Sequence, residues 1–192
     1  MGTFDTSLSV CIGIGLATAC GLRVFIPLLM VSAASHFGHL PLSPGFQWLS
    51  STPAMLAFSV TACLEVAGYY IPWVDNALDA IASPAAVVAG TIITVAVMKN
   101  MDPFYRWALG IIAGGGMAGL VQGTTVLARG ASSAGTGGLA NPLIATVEWM
   151  GSIVVSTLAM IVPLLLVAMV AAVFCVLAFW VLRRRSARRA MS

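Results

Sequence analysis

The chain has 192 residues, of which 60% are hydrophobic and 8% charged. Soluble domains carry about 25% charged residues, so this inventory cannot cover a soluble surface, and it predicts one all-α integral membrane domain of about six spans. The formal net charge is +3, but Arg183, Arg184, Arg185, Arg188 and Arg189 supply most of the positive charge at the C-terminus, so the net charge describes one end of the chain and gives a nucleic-acid partner little support.

The N-terminus lacks the basic n-region of a signal peptide. The first apolar run, from about Ser7 to Ala34, would reach about 42 Å as one helix, more than a bilayer core of about 30 Å requires. Its surplus coincides with Gly21-Leu-Arg-Val-Phe-Ile-Pro27. Either a long tilted helix turns Arg23 inward, or the span breaks there into two half-helices whose freed backbone groups need protein or water around them. Arg23 could also pair structurally with Glu65. Residues 35–53 read as a loop, where His36 and His39 lack a third ligand for a metal site.

The second span, about Ala54 to Ile71, carries Glu65 and closes on the interfacial aromatics Tyr69, Tyr70 and Trp73. Glu65, Asp75 and Asp79 account for three of the six acidic residues in the chain. A carboxylate inside apolar sequence is costly without a partner or a wet cavity, which marks this segment as a candidate site. Pro72 ends the span, and Asp75 and Asp79 would share a helical face. Pro84 is expected to open the third span, ending near Met98.

The fourth span, about Phe104 to Leu127, holds Gly115, Gly119 and Gly123 among its six glycines, at spacings that permit close helix approach within the chain or across a homo-oligomer. Residues 129–142 then read as a flexible loop. Leu143 to Leu182 is long enough for two helices meeting near Met160–Pro163, with Glu148 as its only charge. The basic run that follows is expected to be a cytoplasmic tail, residues 183–192, of a protein in the inner membrane. Six spans would put the N-terminus in the cytoplasm as well.

A shift of 98 residues lays Ile14, Gly21, Leu22, Leu29, Ala33 and Ser35 on Ile112, Gly119, Leu120, Leu127, Ala131 and Ser133. This suggests a 3+3 inverted repeat, 1–98 and 99–182 within one domain of residues 1–182, with an interrupted first helix in each half.

Gly21-Leu-Arg-Val-Phe-Ile-Pro27, then Glu65, Pro72, Asp75, Asp79, Pro84 and Gly90, then Arg129, Asn141 and Glu148 resemble the membrane family known as domain of unknown function 4126, over roughly residues 10–150. The chain departs from that pattern at Tyr69-Tyr70, where the family often has an acidic–basic pair. It departs again at Thr125, where a lysine is common, and at Trp149, where a second acidic residue often follows the glutamate. The resemblance implies a multi-pass membrane protein and no particular activity.

Three functions fit these residues. The first is a transporter or channel for an ion or small solute, with Glu65, Asp75, Asp79, Arg23, Glu148, Asn141 and Arg129 at its site and Gly21, Pro27, Pro72, Gly115, Gly119 and Gly123 shaping its helices. The second is an assembly protein docking through the glycine-rich span. The third is a metal-dependent enzyme acting on lipid through Asp75 and Asp79. No motif for an organic cofactor is present, and the bilayer itself is the one certain partner by composition.

Overall fold

The structure is a computed structural model that describes residues 2–71 and 74–189, with the side chains of 2–5, 75–76, 177–178, 180–182 and 184–189 outside the description. The described residues form seven helices: α1 Gly2–Leu22, α2 Phe25–His36, α3 Thr52–Gly68, α4 Val74–Val97, α5 Pro103–Thr136, α6 Asn141–Ile161 and α7 Pro163–Arg189. Among the described residues, α5, α6 and the Ala77–Val97 stretch of α4 are long and apolar enough to cross a membrane; the apolar parts of the other four are shorter.

Local chemistry sets several boundaries. The Ser51 hydroxyl accepts from Ala54 N–H and the Asp102 carboxylate from Phe104 N–H, each with a proline in the first turn, so α3 and α5 begin on capped ends. Gly137 at φ 62° ends α5 in the left-handed conformation that glycine adopts without a Cβ penalty.

The first span is interrupted at Arg23-Val24, and the chain turns back there. Leu8, Ser9 and Ile12 of α1 line one cavity with Leu40 and Pro41 beyond α2 and with Val97 and Lys99 at the end of α4. Ser43 donates its N–H to Ala96 O at 2.7 Å and its hydroxyl to Val95 O at 3.2 Å. A straight rod would separate residues 8 and 40 by about 48 Å. Helices α1 and α2 therefore form a hairpin with Arg23 at its tip.

The helices alternate in direction along the chain. In α3, which returns beside α2, Glu65 reaches that hairpin tip; α4 runs back from there. Gly110, Gly114, Gly115 and Gly119 of α5 lie against Val95, Thr94, Thr91 and Val87 of α4, an antiparallel match. Along α6, Ser152 donates its hydroxyl to Ala19 O, and Ala159 sits against Gly15. After the break at Val162, α7 heads toward the hairpin tip, with Leu166 at Gly15 and Phe174 beside Met117. The start of α1 and the end of α7 thus lie at opposite ends of the bundle.

Several expectations change. The fold-back puts four helices before residue 99 and three after it, so the halves do not pair three against three. The second half keeps no break at Gly119; α5 is continuous and only widens to a π-helical turn at Gly110–Gly115. Pro84 does not open the third helix but sits inside α4, which starts at Val74. Residues 129–136 are helix rather than loop.

The α4–α5 contact is close enough to test. A Cβ on Gly114 would come within 2.7 Å of Gly90 O, and neither backbone can move far without parting the helices. Gly114→Ala is expected to destabilise by about 1–3 kcal/mol, read as a lower thermal midpoint of the purified protein. Gly116→Ala, facing open space, is the control that should not move it.

Candidate functional site

The tip of the α1–α2 hairpin, the turn between α3 and α4, the last turns of α5 and the first turns of α6 meet at one end of the bundle, and their charged side chains converge. The break at Arg23-Val24 frees the first backbone donors of α2. Glu65 on α3 takes two of them: Val24 N–H donates to Oε1 at 2.8 Å and Phe25 N–H to Oε2 at 3.0 Å. Pro27, buried in the first turn of α2, has no N–H to satisfy and its φ suits that position. A carboxylate at a helix N-terminus also meets the positive end of the helix dipole. Glu65 is therefore the cap of a half-helix, and it is 7% exposed.

Arg23 pairs elsewhere than with Glu65. Its Nη2 lies 2.9 Å from Glu148 Oε2 on α6 and donates to Ala145 O at 3.3 Å. Arg129 on α5 grips the same carboxylate in bidentate fashion, Nε to Oε1 at 3.2 Å and Nη2 to Oε2. Its Nη1 reaches Asp79 Oδ1 at 3.1 Å, and the Tyr69 hydroxyl donates to that same oxygen at 3.1 Å. The Tyr69 ring lies under both guanidinium groups, 3.6 Å from Arg23 Cζ and 4.0 Å from Arg129 Cζ. Arg23 is 1% exposed and Arg129 and Glu148 are each 4% exposed.

Burying charges is costly, and mutual pairing plus further hydrogen bonds offsets that cost. One glutamate holding two arginines achieves it with few groups. The described cluster contains two arginines and three carboxylates, Glu65, Asp79 and Glu148, so its formal charge is +2 − 3 = −1. Arg23 Nε and Nη1 are buried without a hydrogen-bond partner among the described residues. The aromatic face of Tyr69 compensates part of that loss through a cation–π contact.

Five of the seven expected site residues thus come together: Arg23, Glu65, Asp79, Arg129 and Glu148. Asn141 joins the first turn of α6 to α5, its Nδ2 donating to Ser133 Oγ at 3.1 Å. Asp75 opens α4, with its side chain outside the described residues, as Pro72 is altogether. Gly21 does not break the helix; a Cβ there would meet Ala118 O and Val121 Cβ at 2.6 Å, so it lets α1 approach α5. Gly115 and Gly119 serve the α4 contact, whereas Gly123 faces open space.

Tyr69 was legible only as an interfacial aromatic. Its place one turn after Glu65 on α3 was the available signal. Tyr69→Phe keeps the ring and loses one hydrogen bond, an expected cost of about 0.5–1.5 kcal/mol. Tyr69→Leu should cost more, because it strips the ring from both guanidinium groups; equal midpoints for the two variants would refute the sandwich. Just outside the cluster, the Tyr70 hydroxyl bonds Thr146 Oγ1 at 2.7 Å and accepts from Trp149 Nε1 at 3.1 Å. The turn after α3 and the α6 helix therefore meet through Tyr70 and Trp149 as a neutral pair.

Among the described residues no three His, Cys, Asp or Glu side chains are grouped to hold a metal ion, and Asp79 is engaged by Arg129 and Tyr69. No curated protein and no solved structure matches the chain. The model of the family described as "Domain of unknown function (DUF4126)" matches residues 10–184. That match includes every residue of the cluster and reaches into all seven helices, and the chain belongs to the DUF4126 family.

Proposed function

We propose that the protein is a multi-pass inner-membrane protein that moves an ion, a proton-coupled species or a small solute, with Glu65, Asp79, Glu148, Arg23 and Arg129 as the working groups and Asp75 and Asn141 at their margin. One observation carries this: five charged side chains from five segments of a chain that is 60% hydrophobic are gathered at one place. Such groups inside membrane protein are expensive and concentrate on ion and substrate paths. The half-helix α2, with its N-terminus on Glu65, is the kind of interrupted helix on which transport sites are built.

The basic run expected as a tail forms the last turns of α7, which the structure carries as helix to Arg189, and by the positive-inside rule it assigns that end of the bundle to the cytoplasm. Seven alternating helices then replace six, which moves the N-terminus to the opposite face and puts the cluster in the cytoplasmic half. Lys99, Asn100 and Arg106 face outward on this reading.

Flux measured in proteoliposomes across protons and a panel of monovalent and divalent ions tests it. Wild-type flux equal to that of empty vesicles throughout would sink it. The assembly reading draws on one feature, the pairing of Arg23 and Arg129 on Glu148, which then acts as a lock between helices. It predicts that an apolar replacement of Arg23, Arg129 and Glu148 keeps the fold and any oligomer intact. The lipid-enzyme reading rests on Asp75 and Asp79, of which Asp79 is engaged by an arginine and a tyrosine through Oδ1.

A further inference from the structure

A cavity of about 220 Å³ lies between α3 and α4, and Glu65 is its single charged wall. The rest is apolar apart from Thr61 and Tyr69, with Val24 and Phe25 from the hairpin tip and Leu78 and Ala85 from α4. The Thr61 hydroxyl donates to Ala57 O in its own helix at 2.8 Å, so it adds little polarity. Leu64 and Ile81 belong to the lining and are 66% and 67% exposed, which puts the mouth on the outer face of the bundle, where lipid would lie.

We propose that this cavity binds a small lipophilic ammonium, entering from the bilayer between α3 and α4, with its charged nitrogen on Glu65. Three observations converge. A carboxylate has about four lone-pair positions, and the amides of Val24 and Phe25 occupy two of them. The described cluster carries one surplus negative charge, which a single cation neutralises, while neither arginine lines the cavity. The volume equals about seven water shares of about 30 Å³ each, room for a ring or short chain bearing one amine. An amphiphile of this kind also concentrates at the level of helix ends, where Glu65 stands three residues before the end of α3. This names a substrate class for the transport reading and rests on it only for the carrying step.

Benzylamine and its neutral isostere benzyl alcohol form the test pair, titrated at pH 7 into the full chain in nanodiscs by calorimetry. The amine is expected to bind about tenfold tighter, as a hydrogen bond to a charged group allows. Glu65→Gln should abolish that preference and spare the alcohol. Ala85→Phe, which fills the cavity and leaves the Glu65 cap in place, should remove both ligands; it carries the test should Glu65→Gln fail to fold. Equal affinities in the wild type, a preference that survives Glu65→Gln, or amine binding that survives Ala85→Phe would each overturn the site. Uptake of labelled benzylamine into proteoliposomes is read separately. Binding without any flux upholds the site and removes the transport reading, and ion flux without amine binding does the reverse.

Discussion

Glu148→Ala is expected to cost about 3–5 kcal/mol, the penalty for stranding a buried charge, and to fall at the upper end because two arginines lose their partner at once. Arg23 would keep only Ala145 O and the Tyr69 face, and Arg129 only Asp79 and that same ring. Water cannot rescue guanidinium groups that are 1% and 4% exposed without opening the hairpin tip. The readout is the thermal midpoint and the monodisperse elution peak of purified protein, both of which should fall. Adding Arg129→Met to Glu148→Ala should recover part of the loss, since it removes one stranded charge, with a coupling of about 0.5–3 kcal/mol. A midpoint within experimental error of wild type would mean that the cluster is solvated.

That residues such as Arg23, Glu65 and Glu148 matter was readable from sequence, because each is isolated in apolar surroundings and the energetic demand for a partner follows from that alone. Which partner each takes was not. Pairing depends on the fold-back at Arg23-Val24, and a glycine-arginine-proline interruption is equally consistent with a kink in a long rod. Once the chain reverses, Arg23 faces α6 and the donors of α2 face α3, so Glu65 becomes a cap and Glu148 the counter-charge. The sequence at Arg129 reads as a loop because Gly130, Ser132, Ser133 and Gly135 follow it. The helix persists through them because its side chain is anchored on α4 and α6 and because Asn141 ties Ser133 to the next helix. Caps are local by contrast: Ser51 with Pro53, Asp102 with Pro103, and Gly137 after the last turn of α5 each act within a few residues of themselves. The six identities at a shift of 98 residues do not fix a topology, since apolar composition alone produces such matches and only the first of the two corresponding stretches contains a break.

Glu65 separates the structural from the transporting role of the cluster. Glu65→Ala leaves the amides of Val24 and Phe25 buried without acceptors, at about 1–3 kcal/mol for each. The expected signature is local: hydrogen exchange at those two amides should rise far above that of the α4–α5 contact, and the hairpin tip should become open to proteolysis. Glu65→Gln keeps one carbonyl oxygen for one amide and turns an NH₂ toward the other. Its exchange should rise at one position, and its midpoint should fall by less than half the Glu65→Ala shift. If the carboxylate binds or relays charge, flux through Glu65→Gln should drop at least about a hundredfold, the usual contribution of a positioned proton-transfer group, out of proportion to that modest loss of stability. Flux that instead follows stability across Glu, Gln and Ala would make Glu65 a cap for α2 and nothing more, with the charge path left to Asp79 and Glu148.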